Sequence, residues 1–492
     1  MHYKAFLIAV LIIGILVIIL AQFCIPTIIG ADGYLHIRMS EFDRLYGIHY
    51  QFHWARFSTF AGHFADKDFL YHILLVPFTL LPDIFFGAKV AACLALVTLF
   101  LLFYWVLRLY CRPRLVPVFL LFFFLSANFL HGVSEPRPMV LVLGLTLLFT
   151  HFLIHKKQWG LFLVTAAYTL AHVSGPYLLF FAFLAEVVRF GSQREFAWKS
   201  IRSVGLGLAL GILAHPNFPH NLIVFYLNGV IVPIYALKWG LELGAEFFPI
   251  YTRDYVLGYP VIFIGLFALL ALATSAANRI KLSTKIWMAL SGFFFIFSFF
   301  SRRYLIHLYP MFLVALAAYI SDWWESAERL ILPRQYKILR LSMLVLAGAL
   351  FILISWSTYK NYRQNTLGDL QYNRHFEAVS KFMRENIPAG ETIFHANWSD
   401  SQYFIGLNPQ NDYLVTFDPM YMYYWNPEKY KLYRQISFGG ASDPYAAIKE
   451  EFNARYGYAG KNYFSGLIAQ VRSDPRFELM AEDGLGVVFR LR

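Results

Sequence analysis

The sequence predicts a mainly α-helical membrane protein, a polytopic bundle of about eleven spans followed by an extramembrane α/β domain. Its composition is one reason: 58% of the 492 residues are hydrophobic and only 15% are charged, whereas soluble domains are about 45–50% apolar and about a quarter charged. The other reason is that apolar residues occur in blocks of about 15 to 22, long enough to cross a hydrocarbon layer of about 30 Å as helices.

The spans are placed by the lengths of the apolar runs. The first run, 5–20 behind Lys4, is similar in length to a secretory signal, but no small-x-small cleavage site follows it and further spans do. We interpret it as an uncleaved anchor. The predicted spans are centred in 5–23, 85–107, 115–131, 138–154, 159–171, 177–190, 203–214, 258–277, 285–300, 303–320 and 340–356.

The distribution of Lys and Arg predicts the orientation, because these residues accumulate in cytoplasmic loops. The net charge of +12 arises from short clusters between apolar blocks, which does not indicate nucleic-acid binding. One side of the predicted bundle receives Lys4, Arg108, Arg112, Arg114, Lys156, Lys157, Arg194, Lys199, Arg202, Arg279, Lys281, Lys285, Arg329, Arg334, Lys337 and Arg340. That side is the predicted cytoplasmic side, so the loops 24–84 and 215–257 and the turn 134–138 are extracytoplasmic.

Two domains are predicted: a transmembrane domain of residues 1–356, which includes the long outer loop 24–84, and an extracytoplasmic α/β domain of residues 357–492. The second has charges throughout and short alternating segments, Glu391–His395 and Tyr413–Phe417, that are typical of strands. The three cysteines show neither a disulfide framework nor the spacing of a zinc site.

An acidic residue, Asp32, directly follows the first predicted span. Acids at a membrane surface are costly and mark candidate functional sites. If 33–46 forms a helix, Asp32 lies near its amino end, where the helix dipole favours a carboxylate, and His36 and Arg38 lie in its first turns. The alternative is that Asp32 only caps this helix.

The run Asp32-Gly33-Tyr34-Leu35-His36-Ile37-Arg38 resembles the first outer loop of the GT-C glycosyltransferase superfamily, which includes the catalytic subunit of oligosaccharyltransferase. Those enzymes place an Asp, a small residue or Pro, an aromatic residue, a polar residue and an Arg just after the first span. The resemblance implies that Asp32 is the reactive carboxylate. Segments 53–56 and 65–72 also resemble that long helical loop. The candidates for acceptor or sugar binding in this loop are His36, Arg56, Asp66 and His72.

Three further outer positions carry polar residues. Glu135 and Arg137 lie in a proline-stiffened turn after the third predicted span, where Glu135 is a candidate second catalytic acid and a local ion pair is the alternative. His172 and His215 end other predicted spans. Both are candidates for acceptor or sugar binding, with a hydrogen-bonded structural histidine as the alternative.

Two arginines, Arg302 and Arg303, lie at an outer loop against the charge alternation, so an anion is expected to neutralise them. A lipid phosphate fits. Arg303 and His307 are four residues apart and share one helical face, which supplies a guanidinium fork and an imidazole; headgroup snorkelling is the alternative. The arrangement also resembles the late-span basic residues with which GT-C enzymes hold the carrier phosphate. Arg38 and Arg137 complete the predicted phosphate-binding set.

In the tail, Asn397-Trp398-Ser399-Asp400-Ser401 resembles the Trp-Trp-Asp-Tyr-Gly region with which oligosaccharyltransferases read the acceptor sequon. It retains one Trp and the Asp, so Trp398 and Asp400 are candidates for acceptor binding. A structural turn between a strand and a helix is the alternative.

These residues predict a membrane glycosyltransferase that moves a hexose or pentose from a polyprenyl-phosphate donor to a lipid, glycan or protein acceptor, with inversion. Asp32 deprotonates or orients the acceptor hydroxyl, while Arg303, His307 and Arg137 stabilise the departing phosphate. Glu135 and Asp66 are reserve acids. No metal or other cofactor is required by the sequence, although Mg²⁺ or Mn²⁺ would fit if the donor were a pyrophosphate and Glu135 joined Asp32.

The predicted location is the bacterial or archaeal cytoplasmic membrane, with the active site outside. The alternatives are protein glycosylation of the oligosaccharyltransferase kind, a lipid or sugar transporter or flippase, and a structural assembly protein. A transporter usually has polar residues at the membrane midplane and internal repeats, whereas these polar residues cluster at one face. The enzyme prediction expects Asp32 and the cations near Arg303 to converge on one cavity.

Overall fold

The computed structural model describes residues 2–48, 52–238, 242–274, 280–327 and 333–492, with the side chains of 236–238, 327 and 333–346 outside the described set. Arg279 and Arg329 therefore lie outside the described residues, as do the side chains of Arg334, Lys337 and Arg340.

The chain divides into two compact units. Unit 1 is Met1–Ile25, Lys89–Ile212 and Ala245–Leu367; unit 2 is Pro26–Ala88, Leu213–Gly244 and Gly368–Arg492. Unit 2 thus combines most of the predicted outer loop 24–84 with most of the predicted tail domain. The predicted boundary at 356/357 stays a prediction.

Helices dominate the described residues. The first ten are α1 His2–Phe23, α2 Asp32–Tyr46, α3 Phe69–Leu75, α4 Ile84–Tyr110, α5 Val116–Phe122, α6 Ala127–Ser134, α7 Met139–Ile154, α8 Gln158–Ala171, α9 Tyr177–Gln193 and α10 Trp198–Leu213. The next seven are α11 Asn221–Tyr226, α12 Val232–Lys238, α13 Thr252–Gly258, α14 Pro260–Ala273, α15 Leu282–Ser298, α16 Arg303–Ala327 and α17 Pro333–Asn386. The last five are α18 Ser401–Leu407, α19 Met420–Trp425, α20 Pro427–Ser437, α21 Pro444–Ala446 and α22 Ser465–Ser473.

Every predicted span falls on one or two of these helices, which confirms the prediction of a polytopic helical bundle. Among the described residues, three helices are long and apolar enough to cross a membrane: Tyr3–Phe23, Ile84–Tyr110 and Arg303–Ser326. The number rises to five if each of two bent helix pairs is one span. The remaining apolar helices are shorter, so the total of about eleven crossings stays a prediction.

The first bend lies within the predicted span 115–131, whereas the second lies at the start of the predicted span 258–277, because most of α13 falls in the predicted outer loop 215–257. Between α5 and α6 the chain bends by 78°, and between α13 and α14 by 83°. Ser126 explains the first bend: its hydroxyl accepts a hydrogen bond from the backbone N–H of Phe129 and so caps α6. The same hydroxyl donates to the carbonyl of Gly258 at the end of α13. Pro260 begins α14 at a position where the missing N–H costs nothing.

The core of unit 1 is built from apolar faces of these helices, with Trp287, Phe100, Phe123 and Phe129 among its fully buried side chains. Close approach of α10 to α8 depends on glycine: a Cβ at Gly207 would meet the carbonyl oxygen of Phe162 at 2.4 Å. Small residues allow such packing between membrane helices, where apolar burial gives little driving force.

Unit 2 contains a four-stranded sheet in the order β1-β2-β4-β3. Its strands are β1 Ile393–His395, β2 Tyr456–Gly460, β3 Phe477–Glu482 and β4 Gly486–Leu491. The first pair is parallel and the other two pairs are antiparallel. The sheet confirms the predicted mixture of strands and helices in the tail.

The predicted strand at Tyr413–Phe417 is wrong. Only isolated bridges occur there, from Tyr413 to Ala55 and from Asp412 to Thr392. The backbone N–H of Leu414 donates to the side-chain Nε2 of His395 at 3.1 Å instead of to a neighbouring strand. Phe417 then has a φ of 66°, in the left-handed region, which ends the extended segment.

Candidate active site

The predicted helix after the first span is present in unit 2 and begins at Asp32. Ala31 holds the N-cap position and makes no side-chain capping bond, so Asp32 is the first helical residue and not the cap. A carboxylate in the first turn is favoured by the helix dipole. Asp32 is half-buried, whereas Tyr34 and Leu35 beside it are buried.

Close packing against α18 holds α2 in place. A Cβ at Gly406 would lie 2.6 Å from the backbone of Tyr34, so only glycine permits this approach. Arg38 donates from Nε to the carbonyl of Gly406 at 2.9 Å, forms an ion pair with Glu41 and lies over the ring of Phe85. Arg38, predicted to bind the donor phosphate, thus has protein partners within unit 2.

Three of the predicted residues form a buried chain of hydrogen bonds. Nδ1 of His72 pairs with Oδ2 of Asp66 at 2.6 Å, and Nε2 of His72 lies 2.7 Å from Nδ1 of His36. At most 5% of each of these residues is exposed. The sequence placed the three residues in one loop, and unit 2 brings their side chains together.

Electrostatics make Asp66 and His72 an ion pair. Burial alone would raise the pKa of Asp66, but the charge of His72 and the hydrogen bonds from His72 and the Asp68 backbone outweigh it, so this pKa is lowered. Burial likewise opposes a charged His72, yet Asp66, Asp68 and Asp43 together raise its pKa. Both shifts favour the charged forms.

His215 joins the same cluster from another loop of unit 2. Its Nδ1 accepts from the backbone N–H of Asn217, so Nε2 carries the proton and donates to the carbonyl of Asp66 at 2.9 Å. Burial lowers the pKa of His215, and its interactions with Asp66 only partly oppose this. The contacts are those of a neutral histidine that orders the loop at Asp66.

The contacts of Arg56 among the described residues are with a different part of unit 2. Its Nε binds Oδ2 of Asp412 at 2.8 Å, and His53 binds the other oxygen of the same carboxylate at 2.9 Å. Arg56 also donates to the hydroxyl of Thr392 at 3.3 Å. These contacts join the first outer loop to the residue before β1 and to the segment after α18 within unit 2.

The predicted turn between strand and helix is present at Trp398 and Asp400. The indole N–H of Trp398 donates to the carbonyl of Glu242 at 3.0 Å. Asp400 is buried and accepts one hydrogen bond, from Asn397 at 3.1 Å. Burial raises the pKa of Asp400 to about 8, although Asn397 opposes this. Asp400 is therefore a protonated carboxyl group at neutral pH.

In unit 1, Glu135 follows the last residue of α6 and has two basic partners. Nη1 of Arg137 lies 3.3 Å from Oε2, and Nδ1 of His131 lies 3.5 Å from Oε1. Burial alone would raise the pKa of Glu135, but the charge of Arg137 and the hydrogen bond from His131 hold it below its usual value. Glu135 is thus an ionised carboxylate.

His172 follows the end of α8 in unit 1. Its Nδ1 lies 2.7 Å from the hydroxyl of Ser174 and also accepts from the backbone N–H of Ser174. This local loop closure accounts for the position of His172 in the turn before α9.

The paired arginines lie at the start of α16 in unit 1. The backbone N–H of Arg302 donates to the carbonyl of Phe248, and its guanidinium reaches the carbonyl of Pro249 at 3.5 Å. The guanidinium of Arg303 lies 4.2 Å above the ring of Phe247. Within the part of the chain that the structure describes, neither arginine forms a salt bridge with a carboxylate.

His307 lies one helical turn after Arg303, with its ring stacked 5.1 Å from that of Phe294. Arg137 belongs to the same neighbourhood, because both Arg137 and Arg302 act electrostatically on Tyr259. A Cβ on Gly132 would also lie 3.2 Å from Ile306 of α16 and 3.5 Å from Nη2 of Arg137. Unit 1 therefore contains Arg137, Arg302, Arg303 and His307, four of the five basic residues that the sequence assigned to donor phosphate, and the fifth, Arg38, belongs to unit 2.

Four participating residues were missed in the sequence. Asp43 and Asp68 interact with His72, His131 binds Glu135, and Phe247 supports Arg303. Helical spacing carried a signal for two of them, since Asp43 follows His36 by seven residues and His131 precedes Glu135 by four. For Phe247 the sequence holds no such signal.

The helical membrane bundle, the helical first outer loop and the C-terminal α/β tail together define the fold of the GT-C glycosyltransferases, which confirms the resemblance seen in the sequence. The fold is shared with archaeal and bacterial members. The oligosaccharyltransferase of Archaeoglobus fulgidus in its apo form has a TM-score of 0.60 at 14% identity, over 92% of this chain and 69% of that chain. ArnT from Cupriavidus metallidurans bound to undecaprenyl phosphate has a TM-score of 0.59 at 12% identity, over 99% and 98%.

A further similar structure is the archaeal oligosaccharyltransferase AglB from Archaeoglobus fulgidus in complex with an inhibitory peptide and a dolichol-phosphate, with a TM-score of 0.62 at 13% identity, over 95% of this chain and 72% of that chain. No family model and no curated protein matches the sequence. Identities this low establish the shared fold alone.

Proposed function

We propose that this chain is a membrane glycosyltransferase that moves a sugar from a polyprenyl-phosphate donor to an acceptor at the extracytoplasmic face, with inversion at the anomeric carbon. The observation that carries the proposal is the group of arginines in unit 1. Arg302 and Arg303 lie at the start of α16, a helix long and apolar enough to cross a membrane, and they have no carboxylate partner among the described residues. A lipid phosphate at the membrane boundary supplies the missing negative charge.

In this proposal Arg303, His307, Arg302 and Arg137 hold the phosphate and stabilise the charge that develops on it as the sugar leaves. Asp32 orients the acceptor hydroxyl or takes its proton, so that the oxygen attacks the anomeric carbon. The bond from sugar to phosphate oxygen breaks, and polyprenyl phosphate is released. Glu135 is the second acid and keeps Arg137 in position through their ion pair.

Support for the donor class also comes from proteins of the same fold. ArnT was crystallised with undecaprenyl phosphate, and AglB was studied with a dolichol-phosphate and a peptide. The acceptor of this chain is a lipid, glycan or protein, and the sugar is a hexose or pentose. Peptide recognition has the weaker support, because Trp398 is held by the carbonyl of Glu242 and Asp400 is buried.

A donor-consumption assay tests the proposal. The full chain, purified in detergent, is incubated with undecaprenyl- and dolichyl-phosphate sugars labelled in the sugar and with a membrane extract as the source of acceptor. We expect labelled sugar to leave the carrier, and we expect Asp32→Asn to lower the rate by about 10²–10⁴-fold, the usual contribution of a general base. Asp83→Asn, an exposed acid of the same outer loop, is the matched control and should react normally.

Undiminished transfer by Asp32→Asn would remove Asp32 from its role. A chain that moves the labelled lipid across a liposome membrane, without cleaving the bond between sugar and phosphate, would instead be a transporter or flippase. Label that appears on a peptide with an acceptor sequon would establish the oligosaccharyltransferase alternative.

A further inference from the structure

A second group of ionisable side chains in unit 2 lies around His72. The sequence made Asp66 and His72 candidates for acceptor or sugar binding, but the proposed mechanism gives this group no chemical step. One ligand atom each from Asp43, Asp66 and His72 lies within 4.8 Å of the others. Ligand atoms around a tetrahedral Zn²⁺, at about 2.0–2.2 Å from the metal, are about 3.3–3.6 Å apart. Only small side-chain movements therefore separate this arrangement from a coordination shell.

The charges in this group do not balance. Asp43, Asp66 and Asp68 supply three carboxyl groups, against the ammonium of Lys67 and, when protonated, the imidazole of His72. Burial raises the pKa of Asp43 to about 6 and also raises that of Asp68, so ionising all three requires a further positive charge. Lys67 is 3.5 Å from Oδ2 of Asp68 and also lies over the ring of Phe417, with 22% of its side chain exposed. Buried carboxylates of this number are stabilised by a further cation.

Asp68 points independently to a missing ligand. It is fully buried; among the described residues Oδ1 accepts no hydrogen bond, and Oδ2 has only the ammonium of Lys67 beside it, at 3.5 Å. Its charge acts on both Asp66 and His72, which places the carboxylate beside the same group. A buried polar group without its full hydrogen bonds in a native protein requires an explanation, and a bound ion is one of the few available.

The secondary structure fixes the ligands well. Asp43 lies on α2 seven residues after His36, on the same helical face, and His72 lies on α3 with its backbone N–H bonded to the carbonyl of Asp68. Nε2 of His72 faces Nδ1 of His36 at 2.7 Å, so a second imidazole is also in reach. Ligands from two helices and the turn between them would make the ion a cross-link.

From this geometry we infer that Asp43, Asp66 and His72 form a binding site for a divalent transition-metal ion, with Asp68 as a further oxygen donor or as a counter-charge. Imidazole and carboxylate together suit Zn²⁺ better than Mg²⁺, which prefers oxygen ligands and keeps its water. The site is separate in sequence from Asp32, Glu135 and the cations of α16. It does not depend on the proposed sugar transfer, and its effect is to stabilise the first outer loop.

A metal-binding measurement on the full chain tests this inference. The protein is purified through an affinity tag without histidine, stripped with EDTA and titrated with Zn²⁺ in a calorimeter, and the metal content is measured by mass spectrometry. We expect one Zn²⁺ per chain, a higher melting temperature with the metal, and binding of Mg²⁺ at least about tenfold weaker.

Two variants locate the site. Asp66→Asn and Asp43→Asn should each weaken Zn²⁺ binding at least about tenfold, whereas Asp83→Asn should bind as the wild type does. Gel filtration and circular dichroism show whether each variant folds. Asp43 is only half-buried, so Asp43→Asn can still test the site if Asp66→Asn does not fold. Absence of Zn²⁺ binding by the folded wild-type chain, or binding unchanged in both variants, would overturn the inference.

Discussion

The two units treat unbalanced charge in opposite ways. In unit 1 two acids away from solvent have basic partners: Glu135 pairs with Arg137, and the buried Glu186 pairs with Arg189 at 3.0 Å. Arg302 and Arg303 at the start of α16, by contrast, form no salt bridge with a carboxylate among the described residues. In unit 2 the buried groups that lack full compensation include acids, namely Asp400 and the carboxyl groups around His72.

This difference indicates what each unit binds. A buried or half-buried charge persists only if something compensates it. For the arginines of unit 1 the compensating partner is an anion, and the lipid phosphate of the proposed donor is one. For the acids of unit 2 it is a proton at Asp400 and a cation at the group around His72.

The largest expected effect comes from removing Arg303. Arg303→Gln should weaken binding of undecaprenyl phosphate about 10- to 100-fold, because a hydrogen bond to a charged group contributes about 1.5–3 kcal/mol. Native mass spectrometry or fluorescence with the full chain in detergent measures this. The affinity of Arg303→Lys should lie between those of Arg303→Gln and wild type, since lysine keeps the charge but lacks the planar fork.

Arg253→Gln is the control for this comparison. Arg253 is an exposed cation in the same stretch of unit 1, on the short helix α13, and its loss should leave the affinity unchanged. Equal affinity of Arg303→Gln and wild type would mean that the arginines of α16 only contact headgroups, as the snorkelling alternative holds. The contrast between the units would then lose its functional meaning.

The second expected effect is a pH dependence of stability at Asp400. The pKa of this carboxyl group is about 8 in the folded chain and about 3.8 when unfolded. Between these values the folded state keeps a proton that the unfolded state has released. Asp400 therefore makes its full contribution to the free energy of unfolding below about pH 4. This contribution decreases as the pH rises towards 8, by at most about 1.4 kcal/mol per pH unit.

Asp400→Asn removes that slope, because the amide stays neutral. Melting temperatures of the full chain between pH 5 and 8 should show the variant gaining relative to wild type as the pH rises. The exposed Asp83→Asn should follow the wild type throughout. A constant difference between Asp400→Asn and wild type across this range would mean that Asp400 is ionised in the fold and has a partner that compensates its charge.

The sequence was sufficient to predict the helical bundle, the helix at Asp32 and the turn at Trp398, because these depend on apolar run length, helix starts and local turn residues. It did not predict the bend between α5 and α6, since a capping serine within an apolar run weighs little against the length of the run. The predicted strand at Tyr413 failed because its neighbour Leu414 pairs with the His395 side chain, a contact that no periodic pattern encodes.

The same division between local sequence signals and tertiary contacts applies to the candidate site. Residues close in sequence, such as Asp66 and His72 or Glu135 and Arg137, were identified together. Contacts that depend on the tertiary fold were not, and Phe247 beneath Arg303 is the clearest case. An aromatic residue in a loop has many uses, and only the folded structure shows that this one supports a cation.

The contact between Phe247 and Arg303 gives the smallest predicted effect, and it is the most sensitive test of the contrast between the two units. The ring of Phe247 stabilises the guanidinium of Arg303 and fixes its position, and such a cation–π contact contributes about 0.5–1 kcal/mol at a partly exposed site. Phe247→Leu should therefore weaken undecaprenyl phosphate binding about two- to fivefold while the melting temperature stays close to wild type.

Phe300→Leu, the same substitution at an exposed ring in the turn before α16, is the control and should leave the affinity unchanged. In the double variant Phe247→Leu with Arg303→Gln, the loss should equal that of Arg303→Gln alone, because the ring then has no cation to support. If the affinity losses of the two single variants add in the double variant, Phe247 contacts the lipid itself. The ring of Phe247 would then not act by supporting Arg303.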